Sequence, residues 1–331
     1  MSWTKTCPLS IAAVCYLLGC GTTSLTPPGG QAGSSEVGAA GNQAVGAGAG
    51  GMPTGSSGGV VSTSGTSGSP GALGGTSAAG APTSGAGGGG NPSSAFTLLF
   101  RDDFDALDLS RWQLMTHSWD TNLALFGSES VMVANGQMEL SLLPAPAGTV
   151  DSTNAMKSFL GAEVRSKDTL TYGRVRARVR FASGSAVVSS VVSIYTPWPA
   201  DDWNELDIEV LGKAPASTQF NAMVYTGTPP AAPVTQSVTP TQYPKKVDLG
   251  FDPSADFHVY EIEWTPQDAH FSVDDAVVYT WTEHIDRMKL PQNVLMTIWA
   301  SSSADWAGAV SAETGQAKAT YDWIELYRFG G

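Results

Sequence analysis

Two hydropathy regimes divide the chain. From about Phe96 to Phe329, short apolar runs alternate with polar positions at period two, turn residues separate them, and the 3.6 period of an amphipathic helix is nearly absent. The clearest run is 173–181, where Val175, Ala177, Val179 and Phe181 alternate with Arg174, Arg176, Arg178 and Arg180. That pattern predicts a strand with one buried and one solvated face. Asn135-Gly136, between apolar runs at 130–133 and 138–143, predicts a two-residue hairpin because both turn residues tolerate positive φ. Asp274-Asp275 separates 271–273 from 277–281 in the same way. Further strands are predicted over 159–165, 187–195, 203–211, 218–225, 258–264, 293–300 and 318–329. One short helix is predicted over 283–288, and the proline-containing stretch 227–250 reads as a long loop bordering a functional site. Many short strands without helix alternation predict an all-β fold, an antiparallel β-sandwich of two sheets.

The segment 21–95 lacks any such pattern. It holds most of the chain's 38 glycines, its only charge is Glu36, and it has no aromatic residue. With so little to bury, it cannot offset a backbone ordering cost of roughly 1–2 kcal/mol per residue. A disordered Gly/Ser/Ala/Pro-rich linker is therefore expected at 21–95, ahead of one folded domain at 96–331. As a flexible coil the linker would span about 45–50 Å. Upstream, Lys5 precedes an apolar stretch at 9–18 that is too short to cross a bilayer and has the length of a signal-peptide core. Its ending, Leu17-Leu18-Gly19-Cys20, resembles the bacterial lipoprotein processing box, so 1–20 is expected to act as a signal peptide. Cleavage would leave Cys20 as a lipidated N-terminus, and Cys7 and Cys15 would depart with the peptide. No cysteine follows Cys20, so the folded domain is expected to have no disulfide. The protein is then exported and lipid-anchored at the cell envelope or surface, or else secreted, and meets a membrane only through that anchor.

The formal net charge is −13, and because Lys5 and Glu36 cancel, the folded domain carries all of it. This disfavours nucleic acid, anionic lipid and polyanionic polysaccharide as partners, and favours a neutral ligand. Four arginines on one face are then expected to meet carboxylates of neighbouring strands.

Candidate chemistry concentrates in Trp203-Asn204-Glu205-Leu206-Asp207-Ile208-Glu209-Val210-Leu211. In a strand, Leu206, Ile208 and Val210 face the core while Glu205, Asp207 and Glu209 line the opposite face, with Trp203 on their side. Three like charges so placed repel. Glycoside hydrolysis would use such a row, since it needs two carboxyls flanking an anomeric carbon, about 5–5.5 Å apart when one is the nucleophile. Cα atoms four residues apart in a strand lie roughly 13 Å from one another, so the two Glu side chains must lean inward over Asp207. There Asp207 could bond the nucleophile and help keep one Glu protonated. A solvated edge-strand face and a row of hard-cation ligands remain alternatives, although a calcium site ordinarily wraps a loop around the ion.

The segment 203–212 closely resembles the Glu-x-Asp-x-Glu signature of glycoside hydrolase family 16. Gly161-Ala162-Glu163-Val164-Arg165-Ser166, Val188-Ser189-Ser190, Gln219-Phe220-Asn221, Val247 to Asp252, Phe257 to Tyr260 with Trp264, and Tyr321-Asp322-Trp323 match in the family's order. The resemblance implies a β-jelly-roll (concanavalin A-like) enzyme with a retaining mechanism. By it Glu205 is the nucleophile, Asp207 its helper and Glu209 the general acid/base. Glu163, Arg165, Trp203, Gln219, Asn221 and Trp299 would line the sugar cleft, while His258 reads as structural. Lichenases carry an aromatic pair, two tyrosines and Asn-Leu-Trp where this chain has Val191-Val192, Ala222-Met223 and Thr297-Ile298-Trp299. The function implied is a retaining endo-β-glucanase acting on β-1,3-1,4-glucan or a related neutral β-glucan. A cell-wall transglycosylase of the same family is the nearest alternative, followed by a non-catalytic lectin and a structural surface lipoprotein. No cofactor enters the chemistry. The family resemblance does admit one structural Ca²⁺ away from the cleft, with Asp322 as its side-chain ligand, and the protein is expected to be a monomer.

Overall fold

The computed structural model describes residues 95–330. The readings at 1–20, at Cys20 and over the linker up to residue 94 lie outside the described residues. In chain order the strands are β1 (Phe96–Asp102), β2 (Trp112–Leu114), β3 (Ala124–Phe126), β4 (Val131–Ala134), β5 (Gln137–Ser141), β6 (Leu143–Pro144), β7 (Phe159–Leu170), β8 (Gly173–Arg180), β9 (Val187–Ile194), β10 (Asn204–Leu211), β11 (Ser217–Val224), β12 (Thr241–Gln242), β13 (Lys245–Asp248), β14 (His258–Trp264), β15 (Ala269–Val273), β16 (Ala276–Trp281), β17 (Gln292–Ala300) and β18 (Lys318–Phe329). Among the described residues one short α-helix occurs, α1 (Ala304–Ala307), between the last two strands.

These strands make two sheets. The outer one runs β16-β15-β14-β8-β18-β5-β4, with β1 also on β18; the inner one runs β12-β11-β10-β9-β17-β7-β2, with β13 on β11 and β3 and β6 on β7. Pairing is antiparallel except for β3 on β7. The result is the sandwich that period-two patterning predicts. Val175, Ala177 and Val179 of β8 and Ile324 and Leu326 of β18 meet Leu206, Ile208 and Val210 of β10 and Met296 and Ile298 of β17 in one core, all at 0% exposure. A large apolar side chain so buried contributes about 1.5–3 kcal/mol. Both predicted hairpin turns have two residues in the left-handed region, Asn135 and Gly136 at φ 57 and 70, and Asp274 and Asp275 at φ 47 and 65. Two successive positive φ values match the right-handed twist of the flanking strands.

Two expectations change. The helix over 283–288 is a single 3-10 turn at Ile285–Arg287, preceded by His284 in the left-handed conformation. The 227–250 stretch is not loop throughout, because β12 and β13 both pair with β11. Pro244 stands between them, and a residue without an N–H confines pairing to short pieces at a sheet edge. Tyr243, next to it, gives its backbone N–H to Asn221 Oδ1 at 3.1 Å, which ties this segment down over β11.

Three of the four β8 arginines meet carboxylates of neighbouring strands and turns. Arg174 pairs with Glu263, Arg176 with Glu261 (2.7 Å) and Asp275 (2.5 Å), and Arg178 with Asp322 (2.7 Å). Arg180 instead lies over the Phe257 ring at 5.1 Å. His258 stacks on Phe251 at 3.7 Å and bonds Asp274 at 2.6 Å, which is a structural position.

The Arg178 pair bears on the calcium expectation. Asp322 Oδ2 takes the guanidinium and Oδ1 accepts from Gln137 Nε2 at 3.2 Å, so both oxygens are engaged and a cation already neutralises the carboxylate. No group of three or more His, Cys, Asp or Glu side chains suited to a metal occurs among the described residues. As arranged, Asp322 is committed to Arg178 and Gln137. EDTA or added calcium is therefore expected to move the melting temperature by less than about 1 °C, since only a ligand bound to the folded state stabilises it. A calcium-dependent rise of several degrees in thermal unfolding would show that Arg178 gives way to the ion.

Candidate active site

β10 lies in the middle of the inner sheet, between β9 and β11. Its even-numbered side chains fill the core, so Glu205, Asp207 and Glu209 stand on the opposite face, as the sequence pattern requires. Register carries that face across five strands. The row through Glu209 reads Gln219, Glu209, Ser190, Thr297, Glu163; the row through Asp207 reads Asn221, Asp207, Val192, Leu295, Arg165. Four of the six residues expected to line the cleft thus meet the acids through strand pairing alone. Trp203, directly before β10, and Trp299 of β17 complete the set.

Each acid has its own surroundings. Glu205 Oε2 accepts from the indole N–H of Trp203 at 2.7 Å, and Glu209 Oε2 accepts from Gln219 Nε2 at 3.0 Å. Asp207 is only 2% exposed, and both its oxygens are buried without a settled hydrogen-bond partner. Burial, followed by the charges of Glu205 and Glu209, pushes the Asp207 carboxyl well above the usual range, making it the group that holds a proton. Burial, with the charges of Glu209 and Glu163 adding to it, pushes Glu205 up to about 8, although the Trp203 hydrogen bond and a bond with Asp207 favour the carboxylate. Burial pushes Glu209 up to about 7, opposed only by Gln219. Both glutamates are thus held above the usual carboxylate range, and the arrangement singles out Glu205 as the one whose carboxylate form is braced, by Trp203 and Asp207.

Glu163 shows the opposite balance. Burial works to raise it, yet the His117 hydrogen bond (3.1 Å) and the charge of Arg165, bonded through Nε at 2.8 Å and Nη2 at 2.5 Å, hold it below the usual range. This cluster brings a fixed anion near the Glu205 carboxyl.

The tryptophans differ from expectation in one respect. Trp203 spends its N–H on Glu205, and Trp203 and Trp299 are only 4% and 5% exposed, because other rings cover them. Trp198 packs edge-on against Trp203 at 5.0 Å, while Trp119 and Trp306 flank Trp299 at 5.0 and 5.7 Å. Two apolar clusters therefore bracket the acids: Val192, Ile194, Leu295, Trp198 and Trp203 on one side, and Trp119, Phe126, Val188, Leu211, Trp299 and Trp306 on the other. Of the three departures from lichenase sequence, Val191, Ala222 and Ile298 are core, which leaves Val192, Met223 and Thr297 as the substitutions that alter the cleft face.

Sequence reasoning missed His117, Trp119, Trp198, Trp306 and Lys157. The first four lie outside the strands, where period two gives no signal. Lys157, 5% exposed, donates to the backbone oxygens of Trp119 (2.9 Å) and Asn122 (2.8 Å) and pairs with Asp151 at 3.2 Å, fixing the loop that carries Trp119. A buried ammonium with three acceptors is fully satisfied.

The profile of "Glycosyl hydrolases family 16" matches residues 122–325, well over half of the chain. A β-glucanase of Brevibacillus brevis is 29% identical over 232 residues, covering 68% of this chain and 80% of its own. A β-1,3-1,4-glucanase (lichenase) from a mouse hindgut metagenome superposes with a TM-score of 0.58 at 27% identity, over 69% of this chain and 97% of that one. The laminarinase from Rhodothermus marinus gives the same TM-score at 21% identity, over 71% and 98%, and shows the shared fold alone.

The raised Glu209 carboxyl has a consequence for stability. Its pKa is near 4.5 when unperturbed and about 7 in the fold, so between those values the folded chain keeps a proton that the unfolded chain loses. Stability then falls as pH rises through that window. Glu209→Gln, which cannot ionise, is expected to be more stable than wild type by roughly 1–3 kcal/mol at pH 8 and no different below pH 4. Urea unfolding at both pH values checks this, and a variant no more stable at pH 8 would contradict the buried-acid picture.

Proposed function

Because the chain belongs to glycosyl hydrolases family 16, we propose that this retaining glycosidase is an endo-β-glucanase that cleaves β-1,3-1,4-glucan, or a closely related neutral β-glucan, by double displacement through Glu205. One observation carries the reading: three carboxyls stand on one strand face, each in a different electrostatic setting. Glu205, in its carboxylate form, attacks the anomeric carbon while Glu209 gives its proton to the departing glycosidic oxygen. The bond to the leaving sugar breaks as the bond to the Glu205 oxygen forms. Glu209, now a carboxylate, takes a proton from water; the resulting hydroxide equivalent displaces Glu205 and restores the β configuration. Asp207 keeps its proton directed at Glu205, holding that carboxylate ready and stabilising it when it leaves.

Substrate class follows from charge. Arg165 is the cation beside the acids, and Glu163 already neutralises it, so nothing at the centre calls for an acidic sugar. Mixed-linkage glucan is preferred on similarity to the β-glucanase and lichenase relatives, with Val192, Met223 and Thr297 reshaping the contacts. We propose further that 1–20 exports the protein, that Cys20 carries its lipid anchor and that 21–95 tethers domain 96–331 to the envelope; the support is the sequence pattern. Labelled palmitate should enter wild type and not Cys20→Ser.

The catalytic assignment is tested on mixed-linkage glucan beside β-1,3-glucan. Wild type is expected to release reducing ends faster from the first, and Glu205→Ala and Glu209→Ala are each expected to lose about 10³-fold or more in turnover with the fold intact. Added azide should then restore both on an activated aryl glycoside, giving the α-glycosyl azide from Glu205→Ala and the β-glycosyl azide from Glu209→Ala. Exchanged products would reverse the two roles. Near-wild-type turnover in either variant would end the assignment, and accumulation of longer oligosaccharides in place of reducing ends would make the enzyme a transglycosylase.

A further inference from the structure

The amide of Gln219 has two ends, and the structure engages both. Its Nε2 donates to Glu209 Oε2 at 3.0 Å, and its Oε1 accepts from the indole N–H of Trp306 at 3.1 Å. An indole N–H can only donate, so it takes the oxygen end of the amide and leaves only the NH₂ for Glu209. We propose that Trp306 is a positioning residue that locks the Gln219 amide with its nitrogen toward Glu209 and so keeps the acid's proton free for the glycosidic oxygen. The proposal rests on the assignment of Glu209 as the general acid/base.

With Oε2 of Glu209 receiving a hydrogen bond, the acid's proton resides on Oε1. If the Gln219 oxygen were unoccupied, the amide could turn over and accept that proton itself, which would stabilise the protonated form and withhold it from the leaving group. Gln219 is 6% exposed, so few other partners could compete for its oxygen. Trp306 is in turn firmly held. α1 ends at Gly308, whose φ of 94 lets the chain leave the helix, and Ala307 O accepts from Ala186 N at 2.8 Å while Asp305 O accepts from Lys213 Nζ at 2.6 Å. Its ring packs against Trp299. The other ionisable groups around Glu209 are Glu205 and Asp207 on its own strand and the Glu163, Arg165 and His117 cluster across the sheet. Lys246 is exposed at the edge of the Gln219 row, and Asp305 lies beside Trp306. None of them touches the Gln219 oxygen.

Trp306→Phe keeps the ring and removes only the N–H, and Gln219→Leu keeps volume and removes the amide. The titration of Glu209 is read directly from ¹³C-labelled glutamate carboxyls, assigned by its loss in Glu209→Gln, beside the pH profile of kcat/KM. In Trp306→Phe, Glu209 is expected to titrate higher by about half a pH unit or more, and the basic limb of the profile should move with it. Turnover of glucan should fall several-fold, while an activated aryl glycoside, whose leaving group needs little protonation, should be affected far less. Gln219→Leu should show the same upward shift, and the double variant should add nothing to it. An unmoved Glu209 titration in a folded Trp306→Phe overturns the proposal, as does a loss confined to KM, which would make Trp306 a sugar contact only. A titration that moves while the limb stays fixed would overturn Glu209 as the acid, so the two failures are told apart.

Discussion

Burying charge is the constraint on which the site depends. Three carboxyls on one strand face, each hard to solvate, would destabilise the sheet if all were ionised, and the surrounding side chains distribute protons so that they are not. Trp203 and Asp207 brace the carboxylate form of Glu205, burial and the two neighbouring charges keep the proton on Asp207, and Gln219 gives Glu209 one bond, too little to undo its burial. Across the sheet, His117 and Arg165 make Glu163 a permanent anion. Four acids within one face therefore sit in different settings made by burial, neighbouring charge and local donors together, which is how one scaffold can hold a nucleophile and an acid together.

The same strand also serves the core. Leu206, Ile208 and Val210 are fully buried between the acids, so the position of the catalytic row is set by the packing that stabilises the sandwich. Because neighbouring strands share its register, a one-residue slip of β10 would exchange acids for aliphatics on both faces at once. Geometry at the site is thus protected by the hydrophobic core beneath it.

Legibility in the sequence followed periodicity. β8, β10, β14 and β18 could be read to within a residue or so, the first three because their apolar residues alternate along most of their length and β18 in spite of the break at Asp322, and the two tight turns because their residues accept positive φ. Glu205, Asp207 and Glu209 were visible for the same reason. His117, Trp119, Trp198 and Trp306 were not, since each reaches the cleft from a segment outside the strands. The stretch 227–250 misled because prolines signal loop, yet they permit the two short edge strands on β11. Asp322 was recognisable as a position but not as a partner, since Arg178 comes to it from β8.

The outer sheet adds a matter of timing. β18, a 12-residue strand, lies at the centre of that sheet and pairs with β8, β5 and β1, and Arg101 of β1 finds Glu325 at a sequence separation of 224. β1 therefore has no strand partner, and β5 only β4, until the last strand arrives, and contacts of this range are slow to form. The floor carrying the acids rests on the core that this late strand closes. During synthesis, then, β10 exists long before the enzyme does: a chain cut short of β18 would have every catalytic residue on a sheet whose core face is still partly uncovered.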